Sequence, residues 1–280
     1  MRVDLHIHTQ ASDGTWTPAQ LVERVRAAGI DLFAAIDHDS IDSVAACEVL
    51  ARKSGLCFLR GVEFSTTLNG KLYHMLAYGF NPANEALRRL LDSNQRQHEV
   101  TDLECLHVLQ RDNIPVDMAA YDAYKNNPAR GGWKGLNYLI DMGICTDVDD
   151  LLNRLFGKHR PMPFPTFPSP TEIISIVVAA GGVPILAHPG AQWLGITEEV
   201  LEDFCQAGIR GLECYTSYHN MDTARHFAEW CRRHDLLITG GSDCHGGFVP
   251  DRKLGVPSIA LADLRLGELE NAIISGAADI

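Results

Sequence analysis

At 280 residues, 46% of them hydrophobic and 21% charged, the chain can bury a large core, either as one α/β domain or as a domain carrying an insertion. Thirty-six acidic against 24 basic side chains give a formal net charge of −12. That balance excludes a broad basic surface for duplex nucleic acid, and a phosphate substrate would need bound cations to offset its charge. No apolar run reaches transmembrane length, Met1 leads directly into a strand, and the eight cysteines form no CxxC pair. A cytoplasmic protein with reduced thiols and no membrane contact is expected.

Val3, Leu5 and Ile7 alternate with Asp4, His6 and His8, the period of a strand, so both imidazoles share one face. Alone, this pair fits an edge strand with solvated histidines as well as it fits a metal site. "TPAQLVERVRAAG" reads as a helix, with Thr17 as N-cap, Gln20 completing a capping box and Gly29 as the stop. A buried strand "LFAAID", a helix "SVAACEVLARKSG" and a strand "CFLRGVEF" follow, and Asn69–Gly70 predicts a hairpin into "KLYHMLAYGF". From about Glu99 to Pro168 the rhythm breaks into a polar, helical, strandless segment that ends in the stiff "RPMPFPTFPSP". Beyond it the alternation resumes: a helix capped by Ser169 and Glu172, the strand "VPILAH", a helix ending near Gly208, the strand "GLECY", the helix "DTARHFAEWCRRH" and the strand "LLITGGSD". Such alternation predicts a parallel α/β barrel or doubly wound sheet, with residues 99–168 as a helical insertion closing over a main domain of residues 1–98 and 169–280.

The positions of the ligand-type residues carry the functional reading. His6 and His8 end the first strand, Asp13 lies in the loop beyond it, and His38 follows "LFAAI" between Asp37 and Asp39. Glu63 ends "CFLRGV", His74 sits in "KLYHML", His188 follows "VPILA", and Asp243 and His245 follow "LLITGGS". Each alone has an ordinary structural explanation. Their common placement at strand ends, where α/β barrels carry active sites, points to a metal cradle. Imidazole with carboxylate suits manganese, zinc or iron, whereas magnesium or calcium favours oxygen alone.

"DLHIHTQASDG", "AIDHDS", "GVEFS", "AHPG" and "GSDCH", in that order, together resemble the PHP (polymerase and histidinol phosphatase) superfamily of metal-dependent phosphoesterases. The insertion resembles that of the subgroup acting on AMP-like nucleotides, 3′,5′-bisphosphates and the 5′ ends of short RNA. The resemblance implies a distorted (β/α)7 barrel holding two or three divalent ions. It assigns His6, His8, Glu63 and Asp243 to a first ion, with Glu63 bridging to a second held by His74 and His188. Asp13, His38 and His245 would hold a third. Asp37 and Asp39 are expected to orient ligand imidazoles from behind.

The chemistry expected is hydrolysis of a nucleotide phosphate monoester, or of a short oligonucleotide, by a metal-bridged hydroxide. His219, in "CYTSYHN", is the candidate general acid. Arg130, Lys134, Lys158 and Arg160 of the insertion are expected to face the metals and bind a second phosphate, and Trp133 to stack on a base. The subgroup would show an arginine followed by a small hydroxyl residue and a histidine here. "RGGWKG" departs from that pattern, so bisphosphate specificity is not carried over with the rest. His98, His107, His159, His226 and His234 are expected to be structural or solvated. The competing expectations are a histidinol-phosphate-type phosphatase and a non-catalytic, metal-stabilised binding domain.

Overall fold

The computed structural model describes residues 1–192 and 194–276. The chain opens with β1 (Arg2–Ile7), α1 (Pro18–Ala27), β2 (Leu32–Ala35), α2 (Val44–Lys53) and the two-residue β3 (Cys57–Phe58). These make a sheet of order β3-β2-β1, with parallel pairs. A short β9 (Ile259–Ala260) adds to it antiparallel beside β1. The expected capping box of α1 is present, with Thr17 accepting from the Gln20 amide and Gln20 reaching back.

The predicted strand "CFLRGVEF" is broken in two. After β3 the chain crosses to a second sheet and begins β4 (Gly61–Leu68). A Cβ at Gly61 would lie 2.0 Å from Ile36 Cδ1, so a larger residue at this crossing would force the Ile36 side chain to shift. Asn69 and Gly70, both at positive φ (51° and 75°), turn the chain into β5 (Lys71–Tyr78). A two-residue turn leaves no room for a crossover helix, so β5 runs antiparallel to β4, with Leu68 opposite Lys71. The second sheet has the order β4-β5-β6-β7-β8, completed by β6 (Val183–Leu186), β7 (Gly211–Thr216) and β8 (Leu237–Gly241). Here β5–β6 is antiparallel, while β6–β7 and β7–β8 are parallel. Three helices pack with these strands: α7 (Pro170–Ala179), α8 (Glu198–Ala207) and α9 (Met221–Arg233). The fold is therefore mixed α/β in two sheets. Two parallel bridges, Ile7 to Cys244 and His38 to Glu63, tie the sheets to each other just where the ligand-type residues stand.

Between β5 and β6 lies α3 (Glu85–Arg111), 27 residues and about 40 Å long. Its first half packs Leu87, Leu90 and Leu91 onto the sheet core; its second half packs Cys105, Leu106 and Leu109 into a separate apolar cluster with Tyr121, Leu136, Tyr138 and Phe156. The expected boundary at residue 98/99 thus falls inside one continuous helix, because the change of packing partner does not interrupt the backbone. The second cluster includes α4 (Met118–Ala123), α5 (Lys134–Asp141) and the short α6 (Val148–Asp150), and no strand stands between residues 99 and 168 among the described residues. The proline-rich return is pinned along β4, with Thr66 Oγ1 donating to the Pro168 carbonyl (2.8 Å) and the Phe167 amide to Thr67 Oγ1 (2.9 Å).

Candidate metal centre

The strand alternation of β1 places His6 and His8 side by side, both fully buried. Gly241, at the end of β8, lies against them: a Cβ there would meet the His6 amide nitrogen at 2.3 Å. The Asp243 amide donates to the His6 carbonyl (2.8 Å) and the His8 amide to that of Cys244 (2.9 Å), which sets the two strand ends in register. Asp39, His188 and Asp243 each hold a positive φ (45°, 25° and 52°), the kind of backbone strain that concentrates at functional sites.

Glu63, the third residue of β4, is the hub. Its Oε2 lies 3.2 Å from His6 Nε2, 3.3 Å from His8 Nε2 and 3.3 Å from His38 Nδ1. Its Oε1 lies 3.1 Å from both His74 Nδ1 and His188 Nε2. One carboxylate thus divides five imidazoles into two sets. Three groups bring their ligand atoms within 4.8 Å of one another: His6, His8, Glu63 and Asp243; His38, Glu63 and His74; and His8, Asp13, His38 and His245. His188 stands with the second, 3.4 Å from His74. Asp13 reaches His245 at 3.3 Å and His8 at 3.4 Å.

The donor chemistry fits a cation. His6 Nδ1 faces Glu213 Oε1 (2.9 Å), and its Nε2 faces Glu63 Oε2, Asp243 Oδ1 (3.3 Å) and His8 Nε2 (3.2 Å). Four ligand-type atoms converge there. Burial opposes charge on every member, yet the imidazoles of His38, His6 and His74 hold Glu63 well below the usual carboxylate range. Against the same burial, Glu213, Glu63 and Asp243 hold His6 well above the usual imidazole value. The site draws positive charge inward. Burial pushes His38 down to about 3, despite the carboxylates beside it, and so keeps that ring in the neutral form that ligates.

Several supporting residues escape sequence reasoning. Glu213 is fully buried and holds two loops at once, accepting from His6 with one oxygen and from the His188 amide (2.9 Å) with the other. Asp243 offers Oδ1 to the histidines, while Tyr218 (2.7 Å) and Arg252 (2.8 Å) donate to its Oδ2. Asp4, raised by burial, accepts the Ser242 and Gly255 amides (2.8 Å each) and so fixes the Asp243 loop.

Among the described residues neither Asp37 nor Asp39 hydrogen-bonds directly to a candidate ligand imidazole; Asp37 reaches His8 only through the Ser12 hydroxyl. Asp37 binds Thr9, Ser12 and Ser43 and shapes the loop after β1. Asp39 accepts from Asn94, the Ser65 amide and His98. His98 is thus hydrogen-bonded to Asp39 (2.9 Å) while its side chain stays partly exposed. His219 is spent: its Nδ1–H donates to the Cys214 carbonyl (2.7 Å) and its Nε2 accepts the Gly190 amide (2.8 Å). Burial lowers its pKa, and no proton remains to give.

A cavity of about 820 Å³ opens beside Asp13, His38 and His74. Its far wall, from the insertion, holds Tyr121, Trp133, Lys134, Phe164 and Phe167 together with Glu99, Asp102 and Asp122. The expected cationic wall is absent from it. Arg130 is paired with Asp141 (2.7 Å) and Arg160 with Asp112; neither lines the cavity, nor does the exposed Lys158. Lys134 does, with its ammonium 4.2 Å over the Tyr121 ring. The "RGG" loop instead packs backbone on backbone. Gly132 N donates to the Asp13 carbonyl (2.8 Å), and a Cβ on Gly131 would strike Phe248 at 2.5 Å.

Comparison with known proteins agrees with this geometry. The PHP domain model matches residues 4–127. The chain is 28% identical over 257 residues to a 3′,5′-nucleoside bisphosphate phosphatase of Chromobacterium violaceum, an alignment covering 90% of each chain. It is 29% identical over 257 residues to a 5′-3′ exoribonuclease of Haemophilus influenzae, covering 87% of this chain and 90% of that one. A solved structure from Bifidobacterium adolescentis, described as a metal-dependent phosphoesterase, superposes with a TM-score of 0.81 at 27% identity over 96% of both chains. No helix among the described residues is long and apolar enough to cross a membrane. The family model over residues 4–127, the relatives and the clustered histidines and carboxylates agree in one respect: the chain resembles the PHP-domain metal-dependent phosphoesterases.

Proposed function

We propose that the chain hydrolyses phosphate monoesters of nucleotides or short oligonucleotides, using divalent ions held around Glu63. The observation that carries the reading is the division of five imidazoles between the two oxygens of one buried carboxylate, beside a cavity large enough for a nucleotide. His6, His8, Glu63 and Asp243 would hold one ion, and Glu63, His74 and His188 a second. Asp13, His38 and His245 would hold a third. Manganese, zinc and iron match the mixed imidazole and carboxylate set. When bound, such ions polarise phosphoryl oxygens and lower the pKa of a coordinated water.

The chain's own residues supply the rest. Glu213 fixes the His6 ring so that Nε2 faces inward, and Tyr218 and Arg252 hold Asp243. The aromatic wall of the insertion would provide stacking surface for a base, and Lys134 is a basic side chain that lines the cavity. The bridges Ile7–Cys244 and His38–Glu63 support the reading of the two sheets as a distorted (β/α)7 barrel, with residues 99–168 as its helical insertion. Eight free thiols suit a cytoplasmic enzyme. The names of the relatives, a bisphosphate phosphatase and an exoribonuclease, support a nucleotide substrate.

The test is a screen of manganese-reconstituted protein against nucleoside mono- and bisphosphates and short 5′-phosphorylated RNA. Release of phosphate or of mononucleotides supports the reading. Failure on all three, with metal bound, overturns it.

A further inference from the structure

Asp39 is fully buried; its amide donates to the Glu63 carbonyl (2.7 Å), and its carboxylate hydrogen-bonds to none of the nine candidate ligands among the described residues. Its Oδ1 accepts from Asn94 Nδ2 (2.7 Å), both oxygens take the Ser65 amide (3.3 Å each), and its Oδ2 faces His98 Nε2 at 2.9 Å. Ser65 Oγ approaches the same nitrogen at 3.2 Å. Asn94 and His98 are four residues apart and so share one face of α3. Anchoring α3 would need only the Asn94 contact. The carboxylate goes further and fixes an imidazole whose side chain is 45% exposed, which packs on Phe167 (4.9 Å) and which lines the cavity together with His38 and His74. With Nε2–H committed to Asp39, His98 Nδ1 has no hydrogen-bond partner in the chain among the described residues.

We propose that His98 is the proton donor to the leaving group, with Asp39 as the positioning residue that sets its tautomer and orientation, the relation a buried carboxylate has to a catalytic imidazole elsewhere. The proposal rests on the phosphomonoesterase reading above. In the step, a water oxygen forms the new bond to phosphorus as the bond to the nucleoside oxygen breaks. The electron pair of the broken bond stays on that oxygen, and the Nδ1 proton of the His98 imidazolium passes to it, leaving the neutral Nε2–H ring. The ring is reset by a proton from solvent. His219, the donor expected from sequence, has both ring nitrogens engaged, which leaves this role to another group.

The experiment compares two leaving groups, with melting curves showing that each variant folds. A nucleoside alkoxide needs a proton to depart; p-nitrophenolate does not. In His98→Gln, kcat/KM on a nucleoside 5′-monophosphate should fall about 10²-fold or more, and at least about tenfold further than on p-nitrophenyl phosphate. Asp39→Asn should show the same bias at smaller amplitude. Equal losses on both substrates, or none on either, would overturn the proposal. A second readout needs no turnover. Long-range ¹H–¹⁵N spectra of the metal-free protein at pH 8 should show a neutral Nε2–H tautomer whose signals vanish in His98→Gln. An Nδ1–H tautomer would overturn the arrangement. Should the wild type turn over neither substrate, the phosphomonoesterase reading fails by itself, and the tautomer still decides the orientation.

Discussion

Glu213 Oε1 lies 2.9 Å from His6 Nδ1, and the same carboxylate's other oxygen accepts the His188 amide. One buried side chain on β7 therefore fixes two ligand-bearing segments from opposite sides of the centre. In Glu213→Gln one oxygen becomes an amide donor, so either the His6 Nδ1–H or the His188 N–H is left without an acceptor. We expect a folded protein whose metal affinity is 10- to 100-fold weaker, on the order found when a partner behind a ligand histidine is lost. Competition with a fluorescent chelator measures it, and unaltered affinity would show that Glu213 serves packing alone.

Gly241 offers a sharper stability test. Alanine would put a Cβ 2.3 Å from the His6 amide and 2.4 Å from His6 Cβ, within two strands joined by backbone contacts. Gly241→Ala should lose at least about 2 kcal/mol in urea unfolding, the scale of core overpacking. A loss under about 0.5 kcal/mol would mean that β1 and β8 can separate freely.

Asp102 titrates the insertion. Burial pushes its carboxyl up to about 6, against the Tyr121 hydroxyl and the Gly135 amide, which favour the charged form. Its folded pKa lies above its unfolded value, so the stability it contributes is full below about pH 4 and lost as pH rises through about 6. Asp102→Asn should therefore gain on wild type above pH 6, by up to about 2 kcal/mol, and the gain should vanish near pH 4. Melting temperatures across pH 4–8 check it; parallel curves would contradict it.

Arg130 is predicted to be nearly silent. It is one-third exposed and paired with Asp141, the setting in which ion pairs contribute about 0–1 kcal/mol. Arg130→Ala should change KM for a nucleoside bisphosphate less than about threefold. Lys134→Ala, which empties the one basic position of the cavity's far wall, should raise it more. The reverse order would restore Arg130 as a substrate contact.

These cases show why part of the site was legible in the sequence and part was not. His6 and His8 announce themselves because strand period puts them on one face, and His38, His188 and Asp243 because each follows a readable apolar run. Both capping boxes, Thr17–Gln20 and Ser169–Glu172, were legible because they are local. Glu213 carries no such signal: in "GLECY" it sits inside a strand buried on both faces, where alternation does not separate function from core. His98 looks like any polar helix position until Asp39, 59 residues earlier, is placed against it. His219 misled because "just past a strand" is shared by ligands and by loop staples alike. The insertion's charges misled because pairing with Asp141 and Asp112 is a tertiary fact.

The centre itself is tested most directly by anomalous diffraction from crystals soaked in manganese, recorded at the manganese absorption edge. Two or more strong peaks should flank the Glu63 carboxylate, one beside His6, His8 and Asp243 and another beside His74 and His188. In Glu63→Gln both should weaken together while the fold is retained. Crystals with no anomalous peak within about 3 Å of either Glu63 oxygen, soaked above millimolar manganese, would contradict it.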